Sequence, residues 1–247
     1  MNRQLNRFGY SIVRSTGGPS YVAAFDGIRY AYEPIVIHDA LAPWAADEEF
    51  LTLWKALRSY TLVDIYRCYE LYQMVREVAP VPGDILEVGV WRGGTGCILA
   101  SAAARWKRDA HVWLCDTFSG VVKAGPFDPV YRGGEHADAS SQKVEKLLEL
   151  QNISNATVLQ GVFPDDTAAN LESRRVALVH IDVDVYQSAL DVIIWAEPRV
   201  PSGGVAIFDD YGFPTCKGIT RLVNELRQSG KWIWFYNLNG HALLVKR

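Results

Sequence analysis

The chain has 247 residues, of which 49% are hydrophobic and 21% charged, a balance typical of a folded globular protein and unlike that of a long disordered chain. Its formal net charge is −3 and no run of Lys and Arg exceeds two residues, so the sequence offers no basic face for nucleic acid. No apolar stretch approaches the ~20 residues of a membrane span.

Four widely spaced cysteines, without a C-x-x-C pair, indicate buried thiols in a reducing compartment, not a disulfide framework or a zinc site. The polar start, residues 1–8, lacks the apolar segment of a secretory signal. We therefore expect a cytoplasmic protein that does not associate with a membrane.

The first 44 residues show no periodicity, and we predict irregular structure or an arm there. An arm of this length is compatible with assembly of the chain into a homo-oligomer. Residues 45–79 carry apolar side chains at helical spacing and predict one or two helices, which either pack on a sheet or cover a ligand. We expect an N-terminal arm and helical lid or appendage over residues 1–80 and one further domain over residues 81–247.

From residue 84 onward, short β-rich apolar runs alternate with helical stretches, the pattern of a parallel sheet covered on both faces. The predicted strands are 84–90, 111–116, 156–160, 176–182 and 203–209, and the predicted helices are 94–106, 140–151, 186–197 and 216–228. Two last strands, 232–236 and 241–245, are separated by residues that include Asn239-Gly240, a pair that favours a hairpin turn. The prediction is an α/β, Rossmann-like doubly wound sheet of five parallel strands with a C-terminal antiparallel hairpin.

A glycine-rich turn follows the first of these strands, at the edge where such sheets bind ligands. The turn contains Gly89, Gly93, Gly94 and Gly96. These glycines let a cofactor lie against the backbone, but their spacing matches neither the G-x-G-x-x-G dinucleotide fingerprint nor a phosphate loop. Diphosphate cofactors therefore become less favoured.

Two acidic residues flank this turn. Glu87 lies within the strand, where a buried charge requires a hydrogen-bond partner or a cation. Asp116 ends the second strand, 27 residues after Gly89, where a carboxylate can accept both hydroxyls of a ribose. S-adenosylmethionine supplies both features, since it carries an ammonium, a sulfonium and an adenosine.

Four aspartates follow two neighbouring strands. Asp182 and Asp184 end the fourth strand, and Asp209 and Asp210 end the fifth. Four carboxylates together repel unless a divalent cation neutralises part of the charge, and oxygen ligands select Mg²⁺, Mn²⁺ or Ca²⁺. A metal beside an acceptor hydroxyl lowers the pKa of that hydroxyl, and a carboxylate can take its proton. Alternate residues of a strand share a face, so one of Asp182 and Asp184 can bind metal while the other reaches substrate.

Two histidines adjoin the aspartates. His180 lies within the apolar fourth strand and is expected to be a hydrogen-bonded core residue. His241 starts the last strand and is expected to face either the same edge of the sheet or solvent.

The residues around these motifs resemble the macrocin O-methyltransferase family. The resemblance rests on Val-Pro-Gly-Asp-Ile-Leu-Glu-Val-Gly-Val-Trp-Arg-Gly-Gly at 81–94, Asp-Thr-Phe-Ser-Gly at 116–120 and Gly-Val-Phe-Pro at 161–164, and it extends over about residues 61–223. It implies a class I methyltransferase fold, S-adenosylmethionine as methyl donor and Mg²⁺ (or Mn²⁺) as metal. The implied acceptor is a sugar hydroxyl, in a glycosylated natural product or a glycan.

The same resemblance implies roles for individual residues. Asp182, Asp209 and Asp210 match the metal ligands, and Asp184 matches the general base. The implied cofactor-binding residues are Glu87, Gly89, Trp91, Arg92, Gly93, Gly94, Asp116, Phe118, Ser119, Gly161 and Phe163. The chain departs from the family at Val183, where Gly is usual and the approach to the metal becomes narrower, and in a loop after Gly161 that is one residue longer.

Other functions remain open on the sequence alone. A catechol-type methyltransferase shares the cofactor, the metal and the aspartate arrangement, and would act on a phenol. Glycosyltransferases and aspartyl phosphatases also use a D-x-D motif with a metal, but neither class explains Glu87 together with the glycine turn. A cofactor-binding partner subunit without catalysis is the non-enzymatic alternative, and the complete set of aspartates argues against it.

Overall fold

The computed structural model describes residues 21–25, 28–32 and 41–247, and the chain divides into two compact units, Met1–Ala42 and Pro43–Arg247. In the first unit, β1 (Tyr21–Phe25) and β2 (Ile28–Tyr32) pair antiparallel, with Phe25 opposite Ile28. Of the two alternatives predicted for this region, irregular structure is wrong for these two segments, and an arm stays a prediction. The overlooked signal is Asp26-Gly27, since this residue pair favours a two-residue hairpin connection. The same prediction for residues 1–20, 26–27 and 33–40 lies outside the described residues.

Within residues 43–80 of the second unit the structure has two α-helices, α1 (Glu48–Leu57) and α2 (Ile65–Glu77). Asp47 and Asp64 cap their N-termini by accepting hydrogen bonds from backbone N–H groups of the first turn. Each helix therefore has its own start signal, which explains why the apolar stretch forms two helices and not one.

Across residues 84–246, seven strands form one sheet. They are β3 (Asp84–Val88), β4 (Val112–Asp116), β5 (Ala156–Gln160), β6 (Val176–Ile181), β7 (Val205–Phe208), β8 (Trp232–Tyr236) and β9 (Ala242–Lys246). Their order is β5-β4-β3-β6-β7-β9-β8, with β3 to β7 parallel and β9 antiparallel to both β7 and β8. The predicted sheet, including its C-terminal hairpin, is confirmed.

Four helices lie between strands of the sheet. They are α3 (Gly94–Trp106), α4 (Ser141–Leu150), α5 (Tyr186–Ala196) and α6 (Lys217–Arg227). Short 3₁₀ turns lie at Pro43–Ala46, Ala168–Leu171 and Glu197–Arg199. All predicted bounds from residue 84 onward agree with these to within two residues. Among the described residues, no helix is both long and apolar enough for a membrane span.

The helices cover both faces of the sheet. Ile85 of β3 packs in a core with residues of α1 to α4, whereas its neighbour Leu86 packs in a core with residues of α5 and α6. Successive side chains of a strand point to opposite faces, so one strand supplies both cores. Strands β3 and β6 are buried along their whole length, which fixes their register. Because they pair in parallel, their carboxyl ends lie at one edge of the sheet.

Candidate active site

A cleft of about 320 Å³ opens at the carboxyl ends of β3, β4, β6 and β7, where ligands bind in sheets of this winding. The predicted site residues that line it are Gly89, Trp91, Asp116, Gly161, Phe163, Asp182, Asp184, Asp209 and Asp210. The predicted site residues outside its lining are Glu87, Arg92, Gly93, Gly94, Phe118 and Ser119. The sheet thus brings the glycine turn and both acidic pairs to one cavity.

The glycine turn leaves β3 directly beside the end of β6. Gly89 has a φ of +94°, and a Cβ built on it would lie 1.7 Å from the carbonyl oxygen of Asp182, so only glycine fits here. The amide of Gly89 donates to the carbonyl oxygen of Cys115 at 2.9 Å, and the amide of Asp182 donates to that of Val88 at 2.9 Å. The backbone of the turn is therefore held between β4 and β6.

Asp116 organises this turn. One carboxylate oxygen, Oδ2, accepts from the backbone N–H groups of Val90 and Trp91 at 2.7 and 2.8 Å. The other, Oδ1, accepts from the N–H of Phe118 at 2.6 Å. A carboxylate has about four acceptor sites, so Asp116 retains capacity for a ligand hydroxyl at the cleft surface.

Four non-glycine residues that line the cleft have a left-handed backbone, with φ values of +47° at Trp91, +65° at His136, +65° at Asp184 and +62° at Asp210. Two more adjoin lining residues, namely Phe118 at +53° and Lys123 at +59°. This conformation costs about 1–2 kcal/mol per residue, and it persists where the surrounding structure imposes it, often at functional sites. Trp91, Phe118, Asp184 and Asp210 were predicted site residues, whereas His136 and Lys123 were not.

Glu87 lies beneath the cleft. Its side chain is fully buried, and its Oε1 accepts a hydrogen bond from Nδ1 of His180 at 2.9 Å. Although burial alone would lower it, the carboxylates of Asp209 and Glu87 raise the pKa of His180 to about 10. The partner that the buried Glu87 requires is thus a core histidine, as expected for His180.

Asp209 forms the floor of the cleft and is 1% exposed. Its Oδ1 accepts from the guanidinium of Arg67, a buried residue of α2 whose Nε also donates to Asp64 at 2.8 Å. Although burial opposes ionisation, His241, His180 and Arg67 hold the pKa of Asp209 well below its usual range. Asp209 is therefore a charged carboxylate in the interior.

The negative charges of Asp182 and Asp210 are not fully compensated by nearby positive groups. Burial and the neighbouring charge of Asp209 raise the pKa of Asp182 well above its ordinary range and that of Asp210 to about 8. Arg67 Nη1 lies 3.6 Å from Asp210 Oδ1 and offsets part of this repulsion. Oxygen donors that repel one another suit a hard dication such as Mg²⁺ or Mn²⁺. Among the described residues, the acidic group whose ligand atoms lie within 4.8 Å of one another is Asp184, Asp210 and Cys216, so the predicted set of Asp182, Asp209 and Asp210 is close in the cleft but not gathered at one point.

Asp184 is held by a residue that the sequence did not indicate. The hydroxyl of Tyr131 donates to Asp184 Oδ1 at 2.5 Å, and Cys216 Sγ lies 3.8 Å from the same oxygen. Burial and the Asp184 carboxylate raise the pKa of Tyr131, so the phenol remains protonated as a donor. Oδ2 of Asp184 accepts no hydrogen bond from the residues that the structure describes.

Tyr131 belongs to the connection between β4 and α4, residues 117–140, which forms one wall of the cleft. Three sets of contacts hold this connection in place. Lys123 pairs with Asp165 and Asp191, and Asp128 accepts hydrogen bonds from the amides of Gly125 and Tyr186. Asp138 accepts hydrogen bonds from Trp91 Nε1 and the Arg92 guanidinium. Arg92 also stacks on Trp91, 4.2 Å from its ring centroid. Arg92 therefore supports Trp91 from outside the cleft.

The residues that sequence reasoning missed have different signals. Arg67 stands on the same helix face as the buried residues Leu71 and Tyr72, so a lone charge on an apolar face was a readable sign. His241 was expected either at the active-site edge of the sheet or in solvent, and the structure places it at that edge, fully buried beside Asp209, with Nδ1 2.6 Å from Glu70 Oε2. Tyr131 lies in a segment without periodicity, which carries no such sign.

The strand order, the glycine turn and the acidic cluster define a methyltransferase of the class I, Rossmann-like type. The solved structure of the O-methyltransferase NovP is similar to this chain, with a TM-score of 0.67 and 26% identity over 76% of this chain and 82% of that one. The fold class is therefore established by two independent routes.

Relatives in sequence specify the family. The family model of macrocin O-methyltransferase (TylF) matches residues 50–232. The chain is 31% identical over 183 residues to mycinamicin III 3''-O-methyltransferase of Micromonospora griseorubida, covering 68% of this chain and 70% of that protein. It is also 31% identical over 194 residues to the 8-demethyl-8-(2,3-dimethoxy-alpha-L-rhamnosyl)-tetracenomycin-C 4'-O-methyltransferase of Streptomyces olivaceus, covering 70% and 74%. The chain belongs to the macrocin O-methyltransferase family and is an O-methyltransferase.

Proposed function

We propose that this chain transfers a methyl group from S-adenosylmethionine to a sugar hydroxyl of a glycosylated natural product or glycan, with Mg²⁺ or Mn²⁺ bound. The observation that carries the proposal is a single cleft in which Asp182, Asp184 and Asp210 adjoin the strained turn from Gly89 to Trp91. The two relatives support the acceptor class, since one name specifies a rhamnosyl group and both specify a numbered hydroxyl position.

The proposed roles follow from where each side chain lies. S-adenosylmethionine supplies the methyl group, and the cation supplies positive charge that acidifies a nearby hydroxyl. Asp182, Asp209 and Asp210 hold the cation, and Asp184 receives the hydroxyl proton on Oδ2 while Oδ1 keeps the hydrogen bond from Tyr131.

The proposed cofactor residues act in two ways. Those that line the cleft contact the cofactor, namely Gly89, Trp91, Asp116, Gly161 and Phe163. The others shape the turns behind it, namely Glu87, Arg92, Gly93, Gly94, Phe118 and Ser119. Gly94 illustrates this role, because a Cβ there would meet the carbonyl oxygen of Tyr60 at 2.7 Å.

The loop between α1 and α2 supports the proposed organisation of the chain. Tyr60, Thr61, Leu62 and Val63 all line the cleft, as a helical lid or appendage within residues 1–80 would. Residues 81–247 hold the proposed cofactor-binding residues, and the compact unit that contains them begins at Pro43 and includes both helices of the appendage. The four free and buried cysteines support a reducing compartment such as the cytoplasm.

Asp184→Asn tests the proton acceptor. Because the amide cannot take a proton, we expect turnover to fall about 10²- to 10⁴-fold. Calorimetric affinity for S-adenosylhomocysteine should stay near that of the unmodified chain. Asp109→Asn, at an exposed turn residue, is the matched control and should leave both quantities unchanged. Near-normal turnover by Asp184→Asn would remove Asp184 from the role of base.

Chelation tests the cation and an acceptor screen tests the substrate class. Excess chelator should abolish turnover and leave S-adenosylhomocysteine binding largely intact, because the cofactor is held by Asp116 and the glycine turn. Full activity in excess chelator would exclude a role of the cation in methyl transfer.

The acceptor screen compares glycosides and catechols as methyl acceptors. Methylation of catechols alone would favour the phenolic alternative, and cofactor binding without any transfer would favour a non-catalytic partner protein.

A further inference from the structure

Beneath the proposed cation site lies a second polar cluster, which shares Asp209 with that site and adds two histidines that the proposed methyl transfer does not use. His180 of β6, Asp209 after β7 and His241 before β9 are 0%, 1% and 0% exposed. One donor atom from each of the three lies within 4.8 Å of the other two. The cluster thus joins three neighbouring strands in the interior of the sheet.

The inward-facing atoms of this cluster have no partner. His180 Nε2, Asp209 Oδ2 and His241 Nε2 each lack a hydrogen bond within the described part of the chain. Asp209 Oδ2 lies 3.8 Å from His180 Nε2 and 3.6 Å from His241 Nε2, which is too far for a hydrogen bond. Buried polar atoms without partners are costly, so three that face one another indicate a missing bound group.

The outward-facing nitrogens are both held by carboxylates. His180 Nδ1 lies 2.9 Å from Glu87 Oε1, and His241 Nδ1 lies 2.6 Å from Glu70 Oε2. Glu70 is itself held by Asn239, whose Nδ2 donates to Oε2 at 3.0 Å. A carboxylate behind each imidazole is the arrangement that orients histidine ligands of metals and raises their basicity.

Distances and charge fit one dication. Two atoms bound to one ion at about 2.1 Å lie no more than about 4.2 Å apart. The separations of 3.6 and 3.8 Å from Asp209 Oδ2 satisfy this limit, and the two imidazoles offer nitrogens within 4.8 Å of each other. Glu70, Glu87 and Asp209 surround the two rings with negative charge. Imidazole nitrogen favours Zn²⁺ and neighbouring transition metals over Mg²⁺.

We propose that His180, Asp209 and His241 bind a first-row transition-metal dication such as Zn²⁺, at a site next to the oxygen-ligated cation site. Asp209 belongs to both sites and lines the cleft, which gives the ion a path of entry. Through Glu87 and Glu70 the ion links β6, β7 and β9 to β3 and α2. The ion fixes the positions of the strand ends that carry the acidic residues of the cleft. The proposal does not depend on which acceptor is methylated.

Protons on both rings are the competing occupant. Two imidazolium groups would place a similar positive charge opposite Asp209 without any metal. The two occupants differ in ligand-field absorption, in metal content and in competition with other metals, all of which can be measured without an activity assay.

The test is a Co²⁺ titration of the full chain, stripped of metal and held in a large excess of Mg²⁺ to fill the oxygen-ligated site. We expect about one equivalent of Co²⁺ to bind, with visible d–d bands typical of nitrogen ligation that Zn²⁺ then displaces. His241→Gln should lose the bands. His111→Gln, at a half-buried histidine 2.8 Å from Thr157 Oγ1, is the matched control and should keep them.

Absence of these bands from the folded, unmodified chain would overturn the proposal and favour protonated rings. Bands that Mg²⁺ suppresses, or that persist in folded His241→Gln, would also overturn it, because the ion would then bind elsewhere. The decisive spectrum is that of the unmodified chain, so poor folding of a variant does not affect the outcome. Calorimetry with S-adenosylhomocysteine, run in parallel, tests the methyltransferase proposal separately.

Discussion

Arg67 determines much of the charge at the bottom of the cleft. Its guanidinium donates to Asp209 and lies 3.6 Å from Asp210 Oδ1, while Asp64, the N-cap of α2, binds its Nε at 2.8 Å. Asp64 therefore both caps α2 and orients the guanidinium of Arg67. His241, His180 and Arg67 together keep Asp209 charged, but the pKa values of Asp182 and Asp210 remain raised, so these cations do not neutralise the whole acidic cluster.

Tyr131 acts on catalysis through Asp184 and is expected to be a positioning residue. Its hydroxyl holds Asp184 Oδ1 at 2.5 Å, so Tyr131→Phe frees the carboxylate to rotate away from the acceptor. Because a hydrogen bond to a charged group contributes about 1.5–3 kcal/mol, we expect kcat to fall about 10-fold or more. The measurement is steady-state kinetics, with S-adenosylhomocysteine affinity measured in parallel and expected to stay constant.

Tyr186→Phe is the control for this substitution. The hydroxyl of Tyr186 donates to Glu225 at 2.6 Å, away from the cleft lining, so the change removes a comparable tyrosine–carboxylate bond. Its kcat should be unchanged. An equal loss of kcat in both variants, or a loss of cofactor affinity in Tyr131→Phe, would contradict a role specific to Asp184.

At the scale of elements, the connection from residue 117 to 140 is held to the cofactor turn by one exposed carboxylate, that of Asp138. It accepts from Trp91 Nε1 at 2.6 Å and from the Arg92 guanidinium. Asp138→Ala frees Trp91, whose backbone is already strained, and we expect S-adenosylhomocysteine affinity to fall about 10-fold. Calorimetry measures this change, and the thermal midpoint should move little because the pair is exposed.

Glu149→Ala supplies the comparison for Asp138→Ala. Glu149 is an exposed carboxylate that pairs with Lys146 at 3.4 Å on α4, outside the cleft lining. Its replacement should leave cofactor affinity unchanged. If Asp138→Ala also bound the cofactor with undiminished affinity, the contact between the 117–140 connection and Trp91 would have no role in cofactor binding.

The elements of residues 84–246 were readable from sequence because their signals are local. Buried strands such as β3 are continuous apolar runs, and Asn239-Gly240 sits in the connection of the last hairpin. The two acidic pairs were also readable, since parallel strand ends share one edge. The contacts of Tyr131 and His241 were not readable, because each joins residues that are far apart in the sequence. Tyr131 and Asp184 are 53 positions apart, and His241 and Glu70 are 171 positions apart, and no local pattern encodes such contacts.

At the scale of the whole molecule, the four free cysteines are distributed over both cores. Cys68 and Cys97 lie in the core on one face of the sheet, and Cys115 and Cys216 in the core on the other. Burial raises the pKa of Cys97 and of Cys115 to about 12, and it raises the pKa values of Cys68 and Cys216 well above the ordinary range. Because the thiolate is the reactive form, none of the four should react at pH 8 while the chain is folded.

Alkylation at pH 8, mapped by mass spectrometry, should therefore label all four cysteines at one common rate, that of cooperative unfolding of residues 43–247. S-adenosylhomocysteine should slow the labelling, because a ligand that binds only the native state divides the unfolded population by 1 + [L]/Kd, where [L] is the concentration of the free ligand and Kd its dissociation constant. Raising the pH through about 8.5 should destabilise the chain, because the unfolded thiols ionise there and the native thiols, with their raised pKa values, do not. Rapid labelling of Cys97 alone would contradict a single cooperative unit, and labelling confined to Cys216 would indicate opening at the cleft only.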